Sequence, residues 1–133
     1  MATIEWRAPE KDEIPPLVSD HQLVLFKSFY EWGVGVPACS FLRGLLHFYG
    51  IELVNLNPNS VLQITVFIHL CEAFLGIRPH FKLFKCLFEL RQLPTRENQA
   101  VIGGCGLQLR KNRNYLATHL PTNNLNWRNE WFY

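Results

Sequence analysis

The sequence predicts an α+β domain: a mainly helical chain of about four helices gathered round a central buried helix, with a C-terminal β-hairpin. Three observations carry that expectation. Between residues 40 and 91 apolar residues recur at helical spacing, in segments parted by Gly and Pro. One of those segments, 58–75, is apolar almost all the way round. After residue 98 the pattern gives way to short alternating stretches rich in glycine. At 133 residues, 48% hydrophobic and 18% charged, there is one domain's worth of chain and enough apolar side chain to fill a core.

Residues 1–19 carry three prolines and mixed charge, which reads as a flexible arm ahead of a domain spanning 20–133. The stretch "SDHQLVLFKSFYEWGVGVP" predicts a short helix over 22–32, capped by Ser19 or Asp20 and stopped by Gly33 and Gly35; "LVLF" fits the start of a strand equally well. Pro37 opens a clear amphipathic helix, "PACSFLRGLLHFYG". Phe41, Leu42, Leu45, Leu46, Phe48 and Tyr49 share its apolar arc, Ser40, Arg43, Gly44 and His47 its wet side, and Gly50 supplies the stop. Asn57 is a good N-cap for the next helix, and Pro58 stands at its first position, where a missing N–H costs nothing. That helix runs to Leu75 and stops at Gly76, with one polar stripe of Thr65, His69 and Glu72, the last two spaced to pair.

Pro79 starts a fourth helix, "PHFKLFKCLFELR", ending before Pro94. Phe81, Phe84, Leu87 and Phe88 form its buried arc, and Lys85 and Glu89 make an i,i+4 pair. "AVIGGCGLQLRKNRNYLATHL" then reads as two strands about a polar turn at 111–114, with glycines 103, 104 and 106 marking a bulge or a close backbone approach.

Chemistry is sparse. His69, Cys71, Glu72 and His80 invite a zinc or thiol reading, but His69 and Cys71 point about 160° apart on a helix and cannot share a metal or a proton. The four cysteines (39, 71, 86, 105) have no paired spacing and read as small apolar residues. Two-metal polynucleotide chemistry needs converging carboxylates. Asp occurs only at 12 and 20, and the glutamates stand singly. There is no G-x-S-x-G nucleophile elbow and no Gly-Lys-Ser/Thr after the glycines. The expectation is therefore no catalytic residue, no metal and no cofactor. No apolar run is long enough to span a bilayer, so no membrane partner is expected. "MATIEWRAPEKDEIPP" lacks the apolar region of a secretory signal, which favours an intracellular protein of nucleus or cytoplasm.

Charge is unevenly placed. Residues 1–77 hold four basic and eight acidic side chains, residues 78–133 nine and three. Within the basic half, Arg110, Lys111 and Arg113 crowd beside Tyr115, and Trp127 and Arg128 lie in "NWRNEWFY". These six are the candidate contacts for nucleic acid or for a protein partner.

The order of these words resembles a plant domain, the gypsy-type transposon (transposase) domain of retroelement origin. It shows a Gly-Val/Leu-Pro turn, an "FLRGLLHFYG"-like helix, "L-x-P-N" opening a long helix, then "CEAFLGI-x-P" and "LF-x-x-F-x-LR". Here they stand as "GVP", "LNPN", "CEAFLGIRP" and "LFKCLFELR", and "VIGGCGLQLR" and "NWRNEWFY" match the family's closing elements. The resemblance covers roughly residues 20–133. It implies a chain stopped short at Tyr133, since the family continues its closing strand. It supplies no catalytic residues to carry over, because its motif residues are apolar, Gly and Pro. The implied function is a non-catalytic structural or protein-interaction module, self-association included; the alternative is a nucleic-acid-binding module using the basic C-terminal half.

Overall fold

The computed structural model describes residues 25–36, 38–92, 102–116, 120 and 127–132, with backbone only for the last two. The arm at 1–19, the loop after 92 and the stretch 117–119 expected to close the hairpin lie outside the described residues. Strand β1 (Leu25–Phe26) leads directly into helix α1 (Lys27–Glu31). The 22–32 helix expected from the sequence is thus shorter, because "LF" pairs antiparallel with β4 (Trp131–Phe132) instead. Beyond the end of α1, Gly33 at φ 102° passes so closely over α3 that a Cβ there would come within 2.8 Å of Thr65 Cγ2.

Helix α2 (Ser40–Tyr49) follows its sequence pattern: Leu42 and Leu45 are buried, and Gly50 closes it in the left-handed conformation with N–H bonds to the His47 and Leu46 turn. Phe48 departs from the expected arc, lying on its edge and 56% exposed. A capped 3-10 turn (Leu53–Asn55) then delivers α3 (Pro58–His69), with Asn57 as N-cap and Pro58 at the first position as expected. Val61, Ile64, Phe67 and Cys71 from α3 and its continuation reach the centre of the core. The last turn, Leu70–Phe74, widens to a π-helix. Widening swings Phe74 and Leu75 outward, so the helix buries one side of its end rather than all round.

The main correction concerns the fourth helix. Helix α4 (Phe81–Leu87) is seven residues long, and Phe88–Gln92 is strand β2. It pairs antiparallel with β3 (Cys105–Leu109), in the register Phe88 to Leu109 and Gln92 to Cys105. The α+β class and the C-terminal hairpin stand, but its first strand comes from residues that also fit a helical period. The turn after β3 is polar as expected, with Asn112 left-handed at φ 62°. Its far side does not pair through residue 116. The Lys85–Glu89 pair is replaced: Glu89 takes the Arg91 and Arg110 guanidinium groups.

Aromatic packing joins the layers. Phe41, Phe67, Phe84 and Phe88 run ring to ring across α2, α3, α4 and β2 at centroid spacings of 4.8–5.7 Å, and Tyr115 closes the row on Phe88. A second cluster stacks Trp127 on Phe29 and edge-on to Phe26, tying β1 and α1 to the end of the chain. Gly103 makes room for that indole: at φ 68° it carries no Cβ, which would stand 2.5 Å from Trp127. The close-approach reading of these glycines holds at Gly103.

Two outcomes test this packing. Phe67→Ala removes a fully buried ring and is expected to cost about 3–5 kcal/mol, whereas half-buried Ile68→Ala should cost clearly less; urea midpoints compare them. Ser60, the buried polar residue of the core, accepts the Leu107 N–H at 2.8 Å. Ser60→Ala strands that donor and should cost about 1–3 kcal/mol, together with faster amide exchange at Leu107.

Candidate interaction surface

Helix α2 turns Cys39, Ser40, Gly44 and His47 toward the segment that follows α3. Spacing of three and four residues places Ser40, Gly44 and His47 on one face, and Gly44 contributes no side chain to it. Opposite stand Ile68 and Glu72, then Arg78, Pro79 and Phe81. The chain arrives there because Gly76, at φ 62°, folds it back and the Ile77 N–H bonds to the Cys71 carbonyl at 3.0 Å. Between the two walls lies an open, mainly apolar cleft of about 710 Å³.

Apolar side chains are exposed in the cleft lining and in the segment that leads to its second wall. Phe74 is 75% exposed, and Leu75, Ile77 and Phe48 are also exposed. On the α4 side the Lys85 ammonium lies 4.9 Å from the Phe48 ring centre and 5.5 Å from that of Phe81, a paired cation–π contact. The Lys85 carbonyl in turn accepts Arg110 Nε at 2.6 Å. The basic hairpin end is therefore joined to the aromatic edge of the cleft.

The six residues singled out from the sequence do not form one cluster. Arg110 is engaged by the Lys85 carbonyl and by Glu89 at 3.7 Å. Lys111 and Arg113 project from the exposed turn. Tyr115 is half-buried, its hydroxyl donating to Gln63 Oε1 at 3.2 Å. Trp127 packs into the Phe26–Phe29 cluster, and Arg128 caps it, donating to the Ile102 carbonyl at 3.1 Å with its guanidinium over the indole. Arg110, Lys111 and Arg113 stay together; Trp127 and Arg128 lie with β1 and β4. Phe48, Phe81, Lys85 and Arg78 were missed by the sequence reading. Phe48 at the edge of its helical arc was the available signal.

Electrostatics adds little nucleophilic chemistry. Burial pushes the Cys71 thiol above its ordinary range, only partly opposed by a backbone hydrogen bond with His80, which keeps it protonated near neutrality. The expected His69–Glu72 pair does not form: His69 meets the edge of Phe74 instead, ring centres 5.8 Å apart. Among the described residues, no three of His, Cys, Asp and Glu come together as metal ligands would. Burial raises the Tyr49 phenol, with the Arg110 charge acting against it. Lys27 is raised by its hydrogen bond to Glu130, a surface pair that Glu31 joins.

Fold and surface together define a small α+β domain with an open apolar cleft. Residues 24–92 match the family described as "Putative gypsy type transposon", more than half of the chain, and the protein belongs to that family of gypsy-type transposon domains. No curated protein and no solved structure matches it. No described helix is long and apolar enough to cross a membrane.

Tyr115 supplies a pH test. Burial pushes its phenol up to about 12. Because the folded value lies above the ordinary value near 10, the folded state holds its proton more tightly. Stability is fully present below pH 10 and is lost as pH rises toward 12. Tyr115→Phe is expected to flatten that alkaline loss, followed by urea unfolding at stepped pH.

Proposed function

We propose that this domain is a non-catalytic protein-interaction module of gypsy-type element origin, working through the cleft between α2 and residues 72–81. The observation that carries the reading is the mainly apolar cleft itself, with exposed Phe48 in its lining and exposed Phe74, Leu75 and Ile77 in the segment that leads from α3 to its second wall. Such a surface costs solubility when left open and is characteristic of binding sites. The ionisable side chains support the absence of catalysis. Glu31 and Glu130 share Lys27, Glu89 is held by two arginines, and Cys71 is buried and protonated.

The second reading, nucleic-acid binding, draws on the exposed Lys111 and Arg113 at the turn. It has weaker support, because Arg110, Tyr115, Trp127 and Arg128 are all engaged within the fold.

Peptide display against the purified chain separates these readings. Peptides should be enriched by the wild type and lost by the Phe48→Ser, Ile77→Ser double variant, with no nicking of supercoiled plasmid in magnesium or manganese. Failure to enrich any peptide would sink the interaction reading, and turnover of plasmid would sink the non-catalytic one. Steeply salt-dependent binding of a single-stranded oligonucleotide, its slope flattened by Lys111→Ser with Arg113→Ser, would favour the second.

A further inference from the structure

We propose that the occupant of this cleft is an acidic peptide segment carrying aliphatic and aromatic side chains. Its apolar residues seat between α2 and residues 78–81, and its carboxylates meet the cations Arg78 and Lys85 at the cleft and its aromatic edge. The inference rests on the interaction reading above and names the chemistry of the partner.

Charge decides the sign of the partner. From residue 78 to 113 the described charged side chains are Arg78, Lys82, Lys85, Arg91, Arg110, Lys111 and Arg113 against Glu89 alone. Glu89 is already consumed by Arg91 and Arg110. Arg78 lines the cleft itself, and Lys85 reaches its edge over the Phe48 and Phe81 rings. Glu72 is the one acidic side chain in the cleft lining. A ligand crossing this edge therefore meets positive potential on one flank of an apolar trough.

Shape decides between peptide and nucleic acid. A base-stacking platform needs open aromatic faces. Here the Lys85 ammonium already occupies the faces of Phe48 and Phe81. The floor, with Leu45, Ile68 and Pro79, is a trough for side chains rather than a flat plate. An amphipathic segment with acidic residues on its outer face satisfies both features, in the manner of a helix laid in a groove.

The probe is a fluorescein-labelled synthetic amphipathic peptide with Leu and Phe on one face and Glu on the other, titrated against the full chain. The same peptide with Lys for Glu, an uncharged version with Gln, and oligothymidylate serve as comparisons. The Glu peptide should bind at least about tenfold more tightly than the Lys peptide, and rising salt should weaken it. Gly44→Leu places a side chain in the cleft from a position where a Cβ meets nothing within 4 Å. It should weaken binding about tenfold or more while leaving the thermal midpoint no lower than that of the wild type. Arg78→Gln with Lys85→Gln gives an independent variant, expected to weaken the Glu peptide and spare the Gln one. Tighter binding of the Lys or Gln peptide at the cleft overturns the acidic occupant while leaving the interaction module in place. Oligothymidylate competing for the same surface with higher affinity overturns it in favour of nucleic acid. A dimer on sedimentation that Gly44→Leu dissolves overturns it in favour of a second copy. No binding by any peptide removes both the occupant and the module.

Discussion

The hydroxyl of Ser60 holds the two halves of this domain in register. It donates to Asn57 Oδ1 at 2.6 Å and accepts the Leu107 N–H at 2.8 Å. The same Asn57 oxygen caps the Ser60 N–H, so one carboxamide and one hydroxyl close the N-terminus of α3 and fasten it to β3. Around this pair the backbone repeats the attachment: Asn57 N–H to the Cys105 carbonyl, Gly103 N–H to the Val54 carbonyl, and a parallel bridge between Leu56 and Cys105. Buried hydrogen bonds of this kind contribute modestly when made and are costly when half-broken, which makes the attachment specific rather than merely adhesive. With β3 fixed against the helix start, the next strand can join on only one side. That side is β2.

This long-range attachment also explains what could and could not be read from the chain. Helix α2 and the start of α3 were legible because their signals are local: an apolar arc, Gly50 beyond one end, Asn57-Pro58 at the other. The strand β2 was not. "FKLFKCLFELR" carries a helical period through Phe81, Phe84 and Phe88, yet Phe88 and Leu90 also alternate with Glu89 and Arg91. What decides between the two is β3, whose first residue lies thirteen positions beyond the end of β2; no local window contains it. Pairing then overrides propensity, and the Arg110 N–H to the Leu87 carbonyl fixes the junction. Misreading β2 as helix also misassigned Glu89, which as a strand residue gathers arginines from β2 and from the end of β3.

The surface was legible in charge and illegible in shape. The excess of basic residues after position 78 was visible at once, but their placement was not. Trp127 and Arg128 read as exposed contacts because aromatic and basic neighbours suggest stacking; in the fold Gly103 opens a slot for the indole and Arg128 covers it. The cleft depended on an event no periodicity reports, the π-turn at Leu70–Phe74. An ordinary α-helical turn would have kept the apolar end of α3 on its inner arc. Widening by one residue sends Phe74 and Leu75 outward, and the left-handed Gly76 brings residues 78–81 back beside α2.

The matched family span and the folding unit do not coincide, and the difference bears on what the shared sequence words mean. Residues 24–92 end with β2, whereas the strand that pairs with it, and that receives the Ser60 hydroxyl, lies at 105–109. The matched span therefore contains both walls of the cleft but only one strand of the β2–β3 pair. Its Gly and Pro words have structural reasons at Gly33, Gly50, Pro58 and Gly76, where the chain reverses, caps or approaches another element. Three of these positions shape the cleft. Gly50 ends one wall, Pro58 begins the helix that supplies Ile68 and leads to Glu72, and Gly76 delivers Arg78, Pro79 and Phe81 to the other. A sequence pattern made of folding residues thus shapes a surface whose chemistry is carried by the side chains between them.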